Sequence, residues 1–345
     1  MKLGTGAIGF GPKARINLDL LRHAESLGYD TAWTAEAYGN DAVSTAAWVL
    51  ASTTTLKVGT SIMQMPARTP AMTAMTAMTL DHLSGGRFIL GLGPSGPQVV
   101  EGWHGVPYGK PLARTREYIE IIRQIWAREK PLEFHGEHYN IPAAGGTGLG
   151  KPLKSILHGN PDIPIYTASI SPNGLRCAGE VADGVFPMMM DPEKVDEVYL
   201  PYLEEGFAKA GNGKSLDNFA IVPGATMIIA DDVDKARGAV KGHMALYIGG
   251  MGARGKNFYN DLAKRLGFEE AAVKIQDLFL DGKKMEAAAA VPDELVDACH
   301  LVGPKERIRD RLQAWKEAGE KRWVDTLNIG SPQPEALELA AEVLL

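Results

Sequence analysis

The chain has 345 residues, of which 45% are hydrophobic and 23% are charged, and its net charge is −6 at pH 7. These values are ordinary for a globular protein with room for a large core, and the negative balance argues against a general nucleic-acid or membrane-surface role. No apolar stretch approaches the ~20 residues that a membrane-spanning helix needs.

The two cysteines, Cys177 and Cys299, have neither the spacing of a zinc site nor that of a disulfide framework. The first residues do not read as a secretory signal, because glycines, a proline and charges interrupt the apolar run. We therefore expect a cytoplasmic protein without a metal site, folded as a single domain over residues 1–345.

Apolar segments of strand length alternate with helix-like segments along the whole chain. The predicted strands cover residues 2–8, 31–34, 56–63, 88–91, 163–168, 184–187, 220–229 and 323–329. The predicted helices cover residues 14–27, 42–53, 70–83, 112–128, 172–181, 192–210, 305–318 and 334–345, and 232–299 is almost entirely helical in character. Eight strands alternating with helices are typical of an α/β fold of the (β/α)8 barrel type. The alternative is an open doubly wound sheet, which usually has fewer strands.

A (β/α)8 barrel typically needs ~250 residues, so part of this chain must lie in insertions. We place one insertion after the fourth strand, at about 129–161, and another after the seventh strand, at about 243–290. Barrels of this kind carry their functional residues just after each strand, at the C-terminal face.

The segment 80–98 combines a helix end, a strand and a glycine-rich turn. Its Gly-Gly pair, Gly85 and Gly86, suits the left-handed end of a helix. Residues 88–92 lack polar alternation, which indicates a strand buried on both faces. The glycines at the strand's end let backbone or a flat ligand approach closely; they are Gly91, Gly93 and Gly96. They are not a dinucleotide fingerprint, because Pro94 and Pro97 interrupt the helix that should follow.

Polar side chains follow the second and third strands. Glu36 is a carboxylate at the end where barrels place their chemistry, which suits an acid, a base or a hydrogen-bond acceptor. The alternative is that Glu36 is solvated and that Asp41 merely caps the next helix. Ser61 places a hydroxyl at the end of the third strand, and Arg68 is either the nearest fixed cation or a surface residue.

A helix start follows the fifth predicted strand. Ser171 is a good N-cap, and Pro172 suits the first helical position. Free N–H groups at a helix N-terminus bind phosphate, although Ser-Pro also begins many ordinary helices. A further candidate is His104, which follows Trp103 on the long loop after the fourth strand, where a lone histidine is more often structural or solvated.

The repeat AMTAMTAMT at residues 71–79 looks unusual. It places Met72, Met75 and Met78 on a drifting apolar stripe of a helix. Because methionine is an adaptable filler of cores, we expect this stripe to pack inside the protein.

Several catalytic motifs are absent from the sequence. There is no H-x-H after the first strand, no H-E-x-x-H, no G-x-S-x-G and no Walker loop. Without an obvious nucleophile or metal site, the chemistry is expected to belong to a bound cofactor.

Three stretches carry a family resemblance that extends over essentially the whole chain. They read TAWTAEAYGND, VGTSIMQMPARTPAMTAMTAMTLDHLSGGRFILGLGPSGPQVVEGWHG and ASISPNGLRCAGEVADGVFP. The chain resembles the bacterial-luciferase-like oxidoreductases, and more closely their branch that uses the deazaflavin coenzyme F420. The LSGGR–LGLG block is specific for the superfamily, whereas the cofactor is less sharply marked, since FMN enzymes share the scaffold.

The resemblance implies a (β/α)8 barrel that holds the cofactor ring in its C-terminal mouth. It implies a cis peptide between Ser61 and Ile62 that backs the ring, with Arg68 among the cofactor-binding residues. The residues expected along the cofactor side chain are Gly93, Pro94 and Ser95. The residues expected at its phosphate are Ser169, Ile170, Ser171, Pro172 and Asn173.

The resemblance also implies hydride transfer between the deazaflavin and an unidentified small organic substrate, with Glu36 as proton donor or polariser and His104 in reserve. Several family members have Asp-His after the second strand where this chain has Glu36 and Ala37, which argues against a sugar-phosphate substrate. The alternatives are an FMN-dependent monooxygenase and a non-catalytic cofactor-binding barrel. A homodimer is expected from the resemblance alone.

Overall fold

The computed structural model describes residues 1–7 and 11–345, so the end of the predicted first strand, at residue 8, lies outside the described residues. The strands are β1 Lys2–Gly6, β2 Thr31–Thr34, β3 Lys57–Thr60, β4 Met63–Gln64, β5 Phe88–Gly93, β6 Phe134–His135, β7 Asn140–Ile141, β8 Ile165–Ala168, β9 Gly184–Phe186, β10 Ala220–Ile221, β11 Gly224–Ile229, β12 Leu301–Gly303 and β13 Thr326–Gly330.

Helices connect these strands, as the alternating sequence pattern predicts. They are α1 Leu18–Ser26, α2 Ala42–Ser52, α3 Pro70–Ser84, α4 Pro97–Gly102, α5 Pro111–Ala127, α6 Pro172–Val181, α7 Val195–Val198, α8 Leu200–Ala210, α9 Val233–Ala245, α10 Phe258–Arg265, α11 Glu269–Leu280, α12 Lys284–Ala289, α13 Asp293–Cys299, α14 Lys305–Glu320 and α15 Pro334–Leu344. A π-helix, Leu246–Gly250, continues from α9.

One large parallel sheet runs through the fold in the order β10-β9-β8-β5-β3-β2-β1-β13-β11-β12, and β4 also pairs with β5. The short strands β6 and β7 form a separate antiparallel hairpin. The predicted α/β class with a parallel sheet is therefore confirmed.

The sheet curls so that β9, near one end of the strand order, and β13, near the other, both contact one stretch of chain. β10 pairs with β9, while β11 pairs with β13, and only residues 222–223 separate β10 from β11. Within this gap the Val222 N–H donates to the Val185 carbonyl at 2.9 Å, and the Pro223 carbonyl accepts from the Asn328 N–H at 2.9 Å. The strands β9 and β13, far apart in the strand order, are thus hydrogen-bonded to the same segment.

An aromatic cluster fills the inside of the curled sheet. The Trp33 ring lies edge-to-face against Phe186, with ring centroids 4.9 Å apart, and 6.1 Å from Tyr166. The indole fits because the facing strand positions carry no side chain: a Cβ on Gly59 would lie 2.2 Å from Trp33 Cζ3, and one on Gly4 would lie 2.9 Å from Trp33 Nε1. Glycine therefore makes room for the tryptophan at these two positions.

The structure corrects several helix and strand predictions. α1 begins only at Leu18, where the Asn17 side chain caps it by accepting from the Leu20 N–H at 3.1 Å. The helix predicted over 192–210 is divided into α7 and α8, which meet at Tyr199. β12 is missing from the prediction because three buried residues after a long helical region give too short an apolar pattern.

The methionine stripe is also corrected. Met78 is fully buried, but Met72 and Met75 keep 53% and 54% of their surface exposed. Successive steps of three residues fall short of a helical turn, so the stripe drifts around α3 and only its end faces the core.

Among the described residues, no helix has the length and apolar character required to cross a membrane. Within the same residues no group of three or more His, Cys, Asp or Glu side chains is arranged to hold a metal ion.

The fit of Trp33 against Gly59 can be tested with alanine. Gly59→Ala should lower the free energy of unfolding by about 1–3 kcal/mol, since the added methyl meets a rigid ring. Gly238→Ala is the matched control: it lies in α9 with open space around it and should raise stability by about 0.5–1 kcal/mol. Urea unfolding of both variants measures the difference, and an unchanged Gly59→Ala midpoint would contradict the packing argument.

Candidate functional site

The carboxyl ends of parallel strands share one face, and the predicted site residues follow four such ends. β2 ends at Thr34, β3 at Thr60, β5 at Gly93 and β8 at Ala168. The loops after these strands therefore form the rim of one mouth.

A cis peptide bond joins Ser61 to Ile62, which confirms the bond that the resemblance implies. The Ile62 side chain lies directly against Gly93, where a Cβ would come within 2.7 Å of Ile62 Cδ1. Two of the predicted cofactor-binding residues, Ile62 and Gly93, are thus brought together, with Ser61 preceding Ile62 in the chain; we call the apolar contact of Ile62 with Gly93 the ledge.

β3 and β5 approach each other closely below this ledge. The Thr60 hydroxyl donates to the Gly91 carbonyl at 2.7 Å and accepts from the Gly91 N–H at 3.0 Å. A Cβ on Gly91 would lie 1.6 Å from the Thr60 carbonyl oxygen. The glycine is required by the backbone of its neighbour, as its predicted role in close approach implies.

The turn after β5 leads directly into a helix. Ser95 adopts a left-handed conformation with φ 59°, and Gly96 is the N-cap of α4. Pro97 is the first residue of that helix, where its missing N–H is not needed. The prediction that Pro94 and Pro97 prevent a helix here is therefore wrong, whereas Pro94 and Ser95 do lie at the mouth, half-buried.

Glu36 accepts four hydrogen bonds in the structure. Its Oε1 accepts from the Gln64 N–H at 2.7 Å and from Arg68 Nη1 at 2.5 Å. Its Oε2 accepts from the Ala42 N–H at 3.0 Å and from Arg68 Nη2 at 3.0 Å. With only 6% of the side chain exposed, this carboxylate joins the loops after β2 and β3.

Arg68 is equally engaged. Its Nη2 also binds Asp41 Oδ1 at 2.7 Å. Asp41 caps α2 by accepting from the N–H groups of Val43 and Ser44. Burial acts to raise the pKa of Asp41, but the Ser44 and Val43 hydrogen bonds and the charge of Arg68 outweigh it, so the pKa is lowered. The two carboxylates thus neutralise the guanidinium predicted to bind the cofactor, and the reading of Asp41 as a helix cap is confirmed.

β8 leads into the predicted phosphate-binding helix start. Ser171 caps α6 by accepting from the Gly174 N–H at 3.1 Å, and Pro172 is the first helical residue, as predicted. A Cβ on Gly174 would lie 2.9 Å from Ser171 Oγ and 3.3 Å from Ser169 Oγ, so both hydroxyls stand over the first turn. The Asn173 side chain is held elsewhere, by Arg176 at 3.0 Å.

A cation that sequence reasoning missed lies beside this helix start. Arg265, at the end of α10, donates through Nη2 to the Ile170 carbonyl. Its Nε is buried and has no hydrogen-bond partner among the described residues. Arg265 lies 95 residues from Ile170, in a region whose pattern indicates helices and nothing more, so only the basic end of α10 signals it.

The ledge and the helix start lie side by side because β5 and β8 are paired. Leu92 is the register partner of Thr167, which puts the residues after Gly93 next to those after Ala168. A narrow apolar ledge and an anion-attracting helix N-terminus are therefore adjacent, which suits a ligand with a flat ring and a phosphate.

His104 lies on the turn after α4, partly buried. Its backbone N–H donates to the Val99 carbonyl at 3.1 Å, and its Nε2 is buried without a partner among the described residues. The structure brings it together with neither Glu36 nor Arg68.

Aromatic residues at the mouth were also missed. His243, on the last turn of α9, packs against Tyr247 with ring centroids 4.8 Å apart and the ring planes tilted by 57°. Tyr247 meets Tyr259 edge-to-face at 4.7 Å. We call these three side chains the aromatic wall.

A comparison with known protein families identifies the family to which this chain belongs. The model of the family described as luciferase-like monooxygenase matches residues 2–322. The chain belongs to this luciferase-like family.

Proteins similar to this luciferase-like protein are named or described with different cofactors. A Mycobacterium tuberculosis protein provisionally named a coenzyme F420-dependent oxidoreductase is 46% identical over 347 residues, covering 99% of both chains. The structure of the coenzyme F420-dependent tetrahydromethanopterin reductase from Methanopyrus kandleri matches with TM-score 0.77 and 26% identity, over 99% of this chain and 98% of that one. The FMN complex of a Pseudomonas putida diketocamphane monooxygenase shares the fold with TM-score 0.67 and 19% identity, over 100% and 97%.

The Glu36–Arg68 pair of this luciferase-like protein is expected to hold its mouth together. Glu36→Gln should lower the free energy of unfolding by about 3 kcal/mol, because it leaves a mostly buried guanidinium short of one negative charge. Glu342→Gln, which breaks the exposed pair with Arg309, is the control and should change little. Equal urea midpoints for the two variants would show that the buried pair contributes no more to the free energy of unfolding than the exposed pair.

Proposed function

We propose that this protein is a coenzyme F420-dependent oxidoreductase that transfers a hydride between the deazaflavin and a small organic substrate. The observation that carries the proposal is the adjacency of the Ile62–Gly93 ledge to the α6 N-terminus, across the paired strands β5 and β8. Coenzyme F420 is divided in the same way, into a flat tricyclic ring that suits the ledge and a phosphate-bearing side chain that suits the α6 N-terminus. The 46% identity to the provisionally named F420-dependent relative supports the choice of cofactor.

The protein's own residues then have separate roles. Ser61, Ile62 and Gly93 back the ring, and Pro94 and Ser95 lie along the cofactor's side chain. The phosphate is held by the hydroxyls of Ser169 and Ser171, by the backbone N–H groups of Ser171 and Asn173, which follow Ile170 and Pro172, and by Arg265.

Bound deazaflavin supplies a two-electron hydride donor or acceptor, so the protein is left with binding, orientation and water exclusion. Glu36 is not retained as the proton donor, because its oxygens already accept from four donors. Together with Arg68 it fixes the rim, and His104 keeps a place as a candidate proton donor.

FMN is the second candidate cofactor, and it would make the protein a luciferase-like monooxygenase. Its ring and phosphate suit the same ledge and the same α6 N-terminus, and the FMN-bound neighbour shares the fold.

Tryptophan-fluorescence titration with F420 and FMN in parallel distinguishes the two cofactors. Micromolar or tighter binding of F420 with little response to FMN is expected. Preference for FMN would overturn the proposal, and tight binding of F420 without turnover of any substrate would favour a non-catalytic barrel.

Arg265 provides a sharper test of the phosphate site. Arg265→Met should weaken F420 binding about ten- to hundredfold, because a hydrogen bond to a charged group contributes ~1.5–3 kcal/mol. Arg265→Lys, which keeps the charge, should lose less. Arg254→Met is the control, since Arg254 pairs with Asp277 on the exposed surface. Equal affinities for all variants, with unchanged melting temperatures, would remove Arg265 from the site.

We also propose that two copies of the chain pair through α2 and α3, which pack against each other. Their outer faces expose Trp48, Met72 and Met75 by 62%, 53% and 54%. Tryptophan and methionine are enriched in interfaces, and clustered exposed apolar side chains mark them.

Sedimentation equilibrium tests the pairing. The wild type should be a dimer, and Met75→Glu should give monomers, because a charge would be buried in the interface. Met285→Glu is the control, since Met285 is 84% exposed on the separate helix α12. A monomeric wild type, or a Met75→Glu variant that stays dimeric, would contradict the proposal.

A further inference from the structure

The aromatic wall, formed by His243, Tyr247 and Tyr259, lies within electrostatic range of side chains from two other segments. Burial raises the pKa of Tyr247, and the neighbouring phenol of Tyr38, from the loop after β2, adds to the shift. Burial likewise raises the pKa of Tyr259, with smaller contributions from Tyr247 and from Tyr108, which lies beyond α4. The helix α10, which carries Tyr259, reaches the mouth, because Arg265 at its end donates to the Ile170 carbonyl. The neighbouring phenols lie on the loops that follow β2 and β5.

Buried amides hold the wall in place. Tyr247 lies on the π-helix, whose carbonyl groups need partners outside the usual helical pattern. Asn257 Nδ2 donates to the carbonyls of Tyr247 and Ile248 at 3.0 Å each, and Asn260 Nδ2 donates to Ile248 at 3.1 Å. Both asparagines are at most 2% exposed. π-Helices occur frequently at functional sites, and this one fixes the direction of an aromatic ring.

The wall carries no fixed charge near pH 7. Burial lowers the pKa of His243, although one side of the ring stays exposed. Behind it, burial lowers the pKa of His300 to about 4, with a smaller effect from His243. His300 Nδ1 accepts from the Thr226 N–H at 3.1 Å. Thr226 pairs with Gly330, the last residue of β13.

The cations nearest in sequence to His243 are neutralised. Arg237 and Lys241, on the same helix, pair with Asp293 and Asp297 of α13 at 2.6–3.3 Å. Arg237 and Lys241 are therefore not free to bind an anionic substrate such as a sugar phosphate, whereas the wall offers aromatic side chains to a flat uncharged ring.

We propose that the aromatic wall is the substrate-recognition surface of the proposed oxidoreductase, and that it takes planar, conjugated, uncharged molecules that carry a carbonyl acceptor. Tyr247 is the stacking residue, since it contacts both other members of the wall. His243 supplies the accessible polar group beside the stack.

Two matched probes test the preference for planar rings. Benzamide is flat and conjugated, whereas cyclohexanecarboxamide has the same amide on a puckered, saturated ring. Saturation-transfer NMR titrations on the purified protein, with and without F420, give both dissociation constants. Benzamide should bind at least about threefold more tightly, as expected for an aromatic contact. Equal constants for the two amides would overturn the proposal.

Variants at Tyr247 test the named residue. Tyr247→Leu keeps an apolar side chain but removes the ring, and it should weaken benzamide about two- to tenfold while leaving cyclohexanecarboxamide unchanged. Tyr247→Phe should restore the wild-type preference. Tyr202→Leu is the control. Tyr202 lies on α8, away from the wall, and its ring packs under the Arg176 guanidinium, 4.9 Å from the ring centroid. A preference for benzamide that survives in Tyr247→Leu would exclude Tyr247 as the stacking residue.

The outcomes for the wall and for the cofactor are separable. F420 binding without any preference between the two amides would leave the proposed function standing and remove the wall. A benzamide preference that depends on Tyr247, in a protein that does not bind F420, would support the wall and overturn the proposed F420-dependent function. If Tyr247→Leu fails to fold, chemical-shift changes of ¹⁵N-labelled His243 on benzamide addition to the wild type decide, and their absence overturns the proposal.

Discussion

The shape of the mouth depends on one buried carboxylate. Glu36 accepts from Arg68 and from the backbone of two loops, so the segments after β2 and β3 cannot move independently. The Gln64 N–H that it binds lies two residues beyond the cis peptide, so the Glu36 carboxylate is anchored close to the ledge. A charged group that is buried and fully paired is costly to disturb, and such a group suits a support better than a proton carrier.

Strand pairing does the rest of the positioning. The ledge belongs to β3 and β5, and the helix N-terminus follows β8, which is the next strand in the sheet. The two receptors are therefore adjacent for the same reason that the strands are: a ladder of backbone hydrogen bonds fixes their spacing. In the proposed function, Ile62 and Gly93 exclude water on the side of the ring, and the hydroxyls of Ser169 and Ser171 bind the phosphate on the other side.

The sequence predicts best those features that depend on neighbouring residues. β5 is buried along its whole length, α3 ends at a left-handed Gly85, and Ser171 caps α6, as local patterns and turn chemistry indicate. The contacts of Glu36 with Arg68 and of Arg265 with Ile170 join residues 32 and 95 positions apart, and only tertiary packing brings them together. The exposed Met72 and Met75 show the same limit, because a stripe of apolar residues does not reveal which part of it is covered.

The strand β12 has a structural consequence of its own. It runs parallel beside β11, with Met227 paired to Leu301 and Ile229 to Gly303, so residues 231–299 leave the sheet after β11 and re-enter it in the adjacent strand. The helical region 231–299, which includes the aromatic wall, is therefore an insertion between two adjacent strands, and we call it the cassette. Exchange of such a cassette between homologues would change what enters the mouth while the strands that hold the cofactor receptors stayed as they are. Divergence of substrate range in this fold thus has a ready physical route that leaves the barrel-like sheet intact.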